Sequence, residues 1–128
     1  MAEVLSLDML RERIRAIEGS PRVQRARVPV GVDAVDELVG GLPRPGLVEL
    51  CGEPGVGGAR LAAQIVAVHT RQRLSVAWVD SMQQLYPPAL ADFGVELTRL
   101  LVVRPPSDGT APEGWATEQL LRSGCFSL

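Results

Sequence analysis

The sequence predicts an α/β protein built around a parallel sheet, and three observations lead to this fold class. From residue 47 onward, short apolar runs alternate with segments of helical periodicity. A glycine-rich turn, GEPGVGGAR, directly follows the first apolar run and opens a helical segment. At 128 residues, with 46% hydrophobic and 22% charged residues, the chain has the size and composition of one globular domain. Strands that alternate with helices in this way predict βαβ units with right-handed crossovers.

The first predicted element is an amphipathic helix near the N-terminus. Ser6 precedes it as an N-cap, and Gly19 follows its last residue. An apolar stripe at the spacing i, i+3, i+7 and i+10 consists of Leu7, Leu10, Ile14 and Ile17. A stripe this regular predicts that something covers it, either the same domain or another chain.

A basic, proline-flanked segment follows the helix. SPRVQRARVPV has three arginines with no acidic residue between them, namely Arg22, Arg25 and Arg27. We favour a solvated linker, and the alternative is a basic arm over a phosphate backbone. The chain is therefore divided into an N-terminal helix and linker arm, residues 1–27, and a partial core domain, residues 28–128.

The core elements follow in order from residue 47. We predict strands in LVELCG, LSVAWVD and LLVVRPP, which are residues 47–52, 74–80 and 100–106. We predict helices in the three intervening or following segments, residues 59–73, 87–95 and 112–124. The final CFSL has the character of an opening fourth strand. We therefore expect either a fragment of a longer protein or a chain whose sheet another segment completes.

The turn at residues 52–60 has the glycine spacing of a phosphate-binding loop, G-x-x-x-x-G-K-[ST]. In that pattern glycines turn backbone N–H groups toward the phosphates, the lysine neutralises phosphate charge and the hydroxyl holds Mg²⁺. Gly58 and Ala59 stand where the lysine and the hydroxyl are required. The backbone cradle is expected at the helix start, without those two side-chain contacts. The candidate cofactor-binding residues are Gly52, Gly55, Gly57, Gly58, Ala59 and Arg60.

Arg60 is the nearest substitute for the missing lysine. It lies one residue late, roughly 100° further round the helix, so we favour a solvated or partner-facing charge. Phosphoryl transfer depends on positioning and charge stabilisation. The sequence therefore predicts no catalytic residue and no resident cofactor, and ATP is the alternative that the loop leaves open.

Composition excludes several further classes of function. The 13 Lys+Arg and 15 Asp+Glu residues give a net charge of −2, which offers no global attraction to nucleic acid or an anionic membrane. Cys51 and Cys125 lack metal-ligand spacing and His69 is the one histidine, so we predict no metal site. We expect both cysteines to be buried and reduced, as in a cytoplasmic protein. No apolar run approaches the ~20 residues of a membrane span.

From Val28 onward the chain resembles the RecA recombinase core. VPVGVDAVDELVGGLPRPGLVELCGEPGVGG is similar to that family's P-x-G-x-x-x-L-D run, glycine pair, L-P-R-G, apolar strand and P-loop. The matching residues are Pro29, Gly31, Asp36, Gly40, Gly41, Leu42, Pro43, Arg44 and Gly46, with Pro45 inserted. WVDSMQQLYPPALADFGVELTRLLVVRP and EQLLRSG resemble the segments that follow in the family. The resemblance implies a RecA-like P-loop NTPase core, truncated after the third helix.

Departures from the family pattern imply that ATP hydrolysis is lost. The family's catalytic glutamate lies two residues past the position of Asp80, where this chain has Met82. A thioether cannot act as a general base. The Walker B strand corresponds to a segment beyond Leu128.

Among RecA relatives with eroded ATPase residues, the chain resembles the ImuA family. That resemblance implies an accessory role in SOS-induced mutagenesis and translesion synthesis, exercised through protein contacts. The cell-division inhibitor SulA is a related alternative. In RecA a leading helix and a short linking strand pack on the neighbouring subunit, which implies a polymerisation arm here; an intrachain cap on the sheet is the equal alternative.

Three functional hypotheses follow. The leading one is a non-enzymatic interaction module that binds RecA, itself or the translesion polymerase complex. The second is a weak DNA-dependent ATPase that uses Arg60, and the third is single-strand DNA binding by the basic arm, with no membrane contact in any of them. The candidate partner-binding residues are Leu7, Leu10, Ile14, Ile17, Arg22, Arg25 and Arg27.

Overall fold

The structure, a computed structural model, describes residues 7–18, 26–106 and 113–128. This part of the chain contains five α-helices and four strands. The helices are α1 (Leu7–Glu18), α2 (Asp33–Val39), α3 (Gly58–Arg71), α4 (Pro87–Asp92) and α5 (Glu113–Ser123). The strands are β1 (Ala26–Val28), β2 (Leu42–Arg44), β3 (Val76–Val79) and β4 (Leu100–Val103). All four predicted helices are confirmed, whereas α2, β1 and β2 have no counterpart among the predicted elements.

A parallel pair of strands forms the centre of the core. β3 and β4 run in the same direction, in a register that pairs Val76 with Leu100 and Val79 with Val103. The connection between them contains α4 and a 3-10 turn, Leu97–Arg99, so the unit is βαβ. This sheet confirms the predicted α/β class in its coarse form, and the strands at residues 74–80 and 100–106 are confirmed in shortened form.

The end of the chain adds to the sheet on the other side of β3. The N–H of Ser127 donates to the carbonyl of Ser75 at 2.8 Å, and the N–H of Ala77 donates to the carbonyl of Leu128 at 3.0 Å. Both pairs advance in the same direction along the chain, so this segment runs parallel to β3. The predicted fourth strand is therefore represented by two paired residues.

The strand predicted for residues 47–52 is wrong. Residues 46–53 have no regular secondary structure, and Leu47 is 96% exposed. Val48 and Leu50 instead line an apolar groove whose other wall includes residues of β3. A strand requires a hydrogen-bonded neighbour about 4.8 Å away, and the groove lies where that neighbour would be.

A small antiparallel hairpin precedes the glycine loop. β1 pairs with β2 from Ala26 opposite Arg44 to Val28 opposite Leu42, and α2 lies in the connection between them. Nη1 of Arg27 donates to carbonyl oxygens at the end of α2, at 2.8 Å to Val39 and 2.8 Å to Gly41. β1 thus crosses the boundary that we placed between the arm and the core.

The P-x-G-x-x-x-L-D region has a structural explanation. The carboxylate of Asp36 accepts two hydrogen bonds, from the N–H of Val30 at 2.7 Å and from the N–H of Gly31 at 3.0 Å. The carbonyl of Gly31 accepts a hydrogen bond of 3.2 Å from Nε2 of Gln64, which lies on α3. Gly31 has a φ of 86°, and a Cβ added there would lie 2.3 Å from Cγ2 of Val68. The motif therefore holds the start of the core against α3.

The hydrophobic core lies between α3, β3 and α4. Its buried members are Ala63, Val66, Ala67, Val76, Leu90 and Val95. The expectation that both cysteines are buried is wrong, because Cys51 and Cys125 are exposed thiols. Both lie in apolar runs, but these runs are at the open side of the sheet rather than in the core.

Replacing Gly31 with alanine is predicted to destabilise the fold. The added methyl group would overlap Val68 and the residue would keep a positive φ, so we expect a loss of about 1–3 kcal/mol in the free energy of unfolding. The control is Gly114→Ala in α5, where an added Cβ meets no atom within 4 Å. Urea unfolding checks both variants, and equal midpoints for the two would contradict the proposed packing.

Candidate functional site

The glycine loop keeps a backbone shape that depends on glycine. Gly55 and Gly57 have φ values of 88° and 103°, a region that other residues rarely adopt. The N–H of Val56 donates to the carbonyl of Glu53 at 3.3 Å, which closes a tight turn before α3 begins at Gly58. A Cβ added at any of these three glycines would meet no heavy atom within 4 Å. The loop is therefore open to solvent at the start of a helix.

The helix that begins in this loop carries no ammonium or hydroxyl group in its first turn. Its first three residues are Gly58, Ala59 and Arg60, all exposed. The backbone N–H groups of a first helical turn and the helix dipole favour an anion. The loop can thus offer backbone donors to a phosphate, but no lysine for its charge and no side-chain ligand for Mg²⁺.

Arg60 makes a contact that sequence reasoning missed. Its guanidinium carbon lies 6.0 Å from the centroid of the Phe93 ring, at the C-terminal end of α4. A guanidinium over an aromatic face is stabilised by the ring quadrupole. Arg60 is therefore engaged with a neighbouring element, and a role as surrogate cation would require it to leave that contact.

An ion pair joins the carboxyl ends of the two parallel strands. Asp80, which is 6% exposed, directly follows β3, and Arg104 directly follows β4. Nε of Arg104 donates to Oδ2 of Asp80 at 3.1 Å, and Nη2 of Arg104 donates to the carbonyl of Leu85 at 2.7 Å. The N–H groups of Gln84 and Leu85 donate to the two Asp80 oxygens. The pair therefore holds the loop that follows β3.

These contacts determine the ionisation of Asp80. Desolvation by burial raises the pKa of Asp80, but the N–H groups of Leu85 and Gln84 and the guanidinium of Arg104 stabilise the charged form and outweigh it. The pKa of Asp80 is consequently lower than the ordinary value. The sequence analysis did not predict the pair of Asp80 and Arg104. It could have done so, because the carboxyl ends of neighbouring parallel strands meet at one edge of the sheet.

Met82 lies in the loop that the pair holds. Its side chain is 74% exposed, at the position where the RecA resemblance requires a glutamate. Among the residues that the structure describes, no group of three or more His, Cys, Asp and Glu side chains could hold a metal ion. The described helices also include none that is long and apolar enough to cross a membrane.

The candidate partner-binding residues are only partly within the described chain. Leu7, Leu10 and Ile14 are 71%, 47% and 45% exposed on α1, so the described part of their stripe is exposed to solvent. Arg27 is bound to the end of α2, as described above. The side chain of Ile17, the predicted cap Ser6, and Arg22 and Arg25 lie outside the described residues.

The described residues form an α/β protein with an exposed glycine turn at the start of α3. No model of a protein family matches the chain. The chain is 36% identical over 110 residues to a protein named RecA from Salinispora arenicola, which covers 84% of this chain and 31% of that protein. It is 37% identical over 90 residues to RecA of Ectopseudomonas oleovorans, which covers 70% of this chain and 25% of that protein.

A longer match gives the same relationship. The chain is 31% identical over 117 residues to RecA of Brucella anthropi, which covers 90% of this chain and 32% of that protein. The chain thus spans about a third of the length of the curated relatives that it matches. These similarities support membership of the RecA superfamily, which the motifs from Val28 onward predicted.

Asp80→Asn is predicted to remove a pH-dependent part of the stability. The pKa of Asp80 is lower in the folded state than the ~3.9 of an unfolded chain. Its contribution is therefore present above the unfolded pKa and is lost as the pH falls through the folded pKa. We expect the variant to melt at a lower temperature than the original protein at pH 7, with a difference that narrows toward pH 3.

The measurement is thermal melting by circular dichroism between pH 7 and pH 3. Asp92→Asn, which changes an exposed carboxylate at the end of α4, is the matched control and is expected to melt close to the original protein. A melting difference for Asp80→Asn that stays constant over this range would contradict the ion-pair explanation.

Proposed function

We propose that the protein is a RecA-like accessory protein that acts through protein contacts and does not hydrolyse ATP. The observation that carries the proposal is the combination of an uncovered apolar stripe on α1 with a glycine loop that lacks its lysine and hydroxyl. An exposed apolar helix face is typical of a segment that docks in a groove of another protein. Loss of the charge-stabilising groups leaves phosphoryl transfer without its main source of rate.

The biological setting that we propose is SOS-induced mutagenesis and translesion synthesis. This part rests on the resemblance to the ImuA family, which also lacks residues that RecA needs for ATP hydrolysis. The partners proposed are a RecA protein, a second copy of this chain or the translesion polymerase complex. The hairpin supports a fixed attachment for the arm, because β1 is paired with β2 and Arg27 binds the end of α2. The N-terminal segment then leaves the core at a defined point.

Residual nucleotide binding is the second candidate function. It is favoured by the positive φ values of Gly55 and Gly57 and by the open space around them, which are compatible with a backbone cradle for a phosphate. Backbone N–H groups at a helix start can bind a phosphate without a lysine. Weak ATP or ADP binding without turnover is the form of this function that the loop supports.

Ile14→Asp is predicted to weaken partner binding. Burying an isoleucine contributes about 1.5–3 kcal/mol, so loss of this contact lowers affinity roughly 10- to 100-fold. The control is Ala16→Asp, because residues two apart on a helix lie roughly 200° apart and Ala16 is on the opposite face. The measurement is biolayer interferometry with purified RecA of Salinispora arenicola, with sedimentation to follow self-association. Equal binding by both variants would rule out the stripe as the contact.

Restoring the two missing side chains is predicted to restore Mg²⁺-dependent nucleotide binding. The variant Gly58→Lys/Ala59→Thr should gain several degrees in melting temperature from millimolar ATP with Mg²⁺, because ligand binding stabilises the folded state. Gly58→Lys alone, which lacks the hydroxyl, should gain less and show little dependence on Mg²⁺.

The original chain is expected to release no phosphate from ATP above background, with or without single-stranded DNA. Arg60→Ala should not change its response to ATP, because the guanidinium lies over Phe93. Turnover by the original chain that Arg60→Ala abolishes would favour the weak ATPase and reject the proposed function.

A further inference from the structure

Three arginines meet at the amino ends of the parallel strands, at the edge of the sheet opposite to Asp80 and Arg104. Arg71 is the last residue of α3, Arg73 lies between α3 and β3, and Arg99 directly precedes β4. Nη1 of Arg99 donates to the carbonyl of Arg73 at 2.8 Å, which brings these two residues together. We call Arg71, Arg73 and Arg99 the arginine surface.

The guanidinium group of Arg71 is held in place by the chain itself. Its Nε donates to the carbonyl of Ala67, one helical turn earlier, at 3.2 Å. A Cβ added at Gly94 would lie 3.6 Å from each of Cζ, Nε and Nη2 of Arg71. Equal distances to three atoms of one plane place that point over the plane, so the flat face of the group packs on Gly94. Nη1 and Nη2 have no acceptor among the described residues and are available as a pair of donors.

Arg99 is fixed by an ion pair on the same side of the molecule. Its Nε lies 3.4 Å from Oε2 of Glu96. The N–H of Glu96 donates to Oγ1 of Thr70, a buried residue in the last turn of α3, at 3.1 Å. Asp92, exposed at the end of α4, is the other acidic residue here and forms no ion pair within the described chain. Positive charge is therefore in excess at this surface, although the whole chain has a net charge of −2.

Arg73 carries its guanidinium group on a backbone conformation that favours glycine. Its φ is 62°, in the left-handed region, and its side chain is exposed. That side chain makes no hydrogen bond or ion pair in the part of the chain that the structure describes. A glycine would adopt the same conformation without strain, so no contact of the described chain requires an arginine at this position. The guanidinium group is therefore available to a group outside the chain.

We propose that the arginine surface binds an acidic peptide segment of a partner protein, with carboxylates of that segment on Arg71 and Arg73. A guanidinium group held in one orientation binds a carboxylate through paired hydrogen bonds and loses little side-chain freedom in doing so. Leu97 is 40% exposed beside Arg99 and adds an apolar contact for a side chain of the segment. The surface includes no residue of the α1 stripe, and it selects its partner by charge rather than by apolar character.

A peptide fits this surface better than a nucleic acid does. The carboxylate of Glu96 lies among the arginines, and a phosphate backbone, which carries a charge on every nucleotide, would have to approach it. A peptide can place its carboxylates opposite the arginines and an uncharged residue opposite Glu96. Single-strand binding also uses aromatic side chains for base stacking, and the neighbouring exposed residues Gln72, Leu97 and Thr98 are not aromatic.

The test measures binding of a fluorescent acidic peptide to the full chain by fluorescence anisotropy. The peptide is Glu-Asp-Leu-Glu-Asp-Ile-Glu-Asp, and its neutral counterpart has Gln and Asn at the acidic positions. Arg73→Gly removes one guanidinium group where φ suits glycine, so we expect a folded variant that binds the acidic peptide roughly tenfold more weakly. Arg122→Gln on α5, which is exposed and paired with Glu118, makes the same change in net charge and should bind as the original chain does.

A second variant and a second ligand complete the test. Arg71→Gln should weaken binding of the acidic peptide by a similar factor, because it removes the other pair of donors. Absence of binding, equal binding of the neutral peptide, or equal affinities for Arg73→Gly and Arg122→Gln would each overturn the proposal. Tighter binding of a thymidine oligonucleotide, weakened by Arg73→Gly, also overturns it, because a phosphate backbone would then be the ligand. None of these results bears on the α1 stripe, which Ile14→Asp tests separately.

Discussion

Hydrogen bonding along β3 is the constraint on which the rest of the structure depends. One side of this strand is paired with β4, and the other side is paired with Ser127 and Leu128. α3 packs over it through buried alanine and valine side chains. The features of the candidate site are positioned from this strand, because α3 begins in the glycine loop and Asp80 directly follows the end of β3. A change in the pairing of β3 would move both.

The part of the fold that could be predicted is the part with a local signal. Helical periodicity located α1 and α3, proline and glycine boundaries located α4 and α5, and two apolar runs correspond to the parallel strands. The run at residues 47–52 misled because an apolar run indicates burial, whereas this segment is exposed and is paired with no described strand. The β1–β2 hairpin was missed because its two strands have three residues each and are separated in sequence by α2. No local period records such a pairing.

The backbone shape of the candidate site and its side-chain chemistry depend on different residues. The shape needs residues that accept a positive φ, and the glycines at 55 and 57 made it predictable from the sequence. The chemistry needs a cation and a hydroxyl, and Gly58 and Ala59 made their loss predictable as well. The contact between Arg60 and Phe93 was not predictable, because it depends on how α4 packs beside α3. The pair of Asp80 and Arg104, by contrast, follows from the rule that the carboxyl ends of neighbouring parallel strands meet at one edge of the sheet.

The two uncovered apolar surfaces differ in what they can recognise. The stripe of α1 offers side chains alone, so a partner is selected by shape and apolar character and its chain direction is not fixed. The edge of β3 differs from the stripe, because Ser127 and Leu128 bond only part of its backbone groups. An edge strand can recognise another segment by hydrogen bonds as well as by shape, whereas the backbone groups of a helix are bonded within the helix.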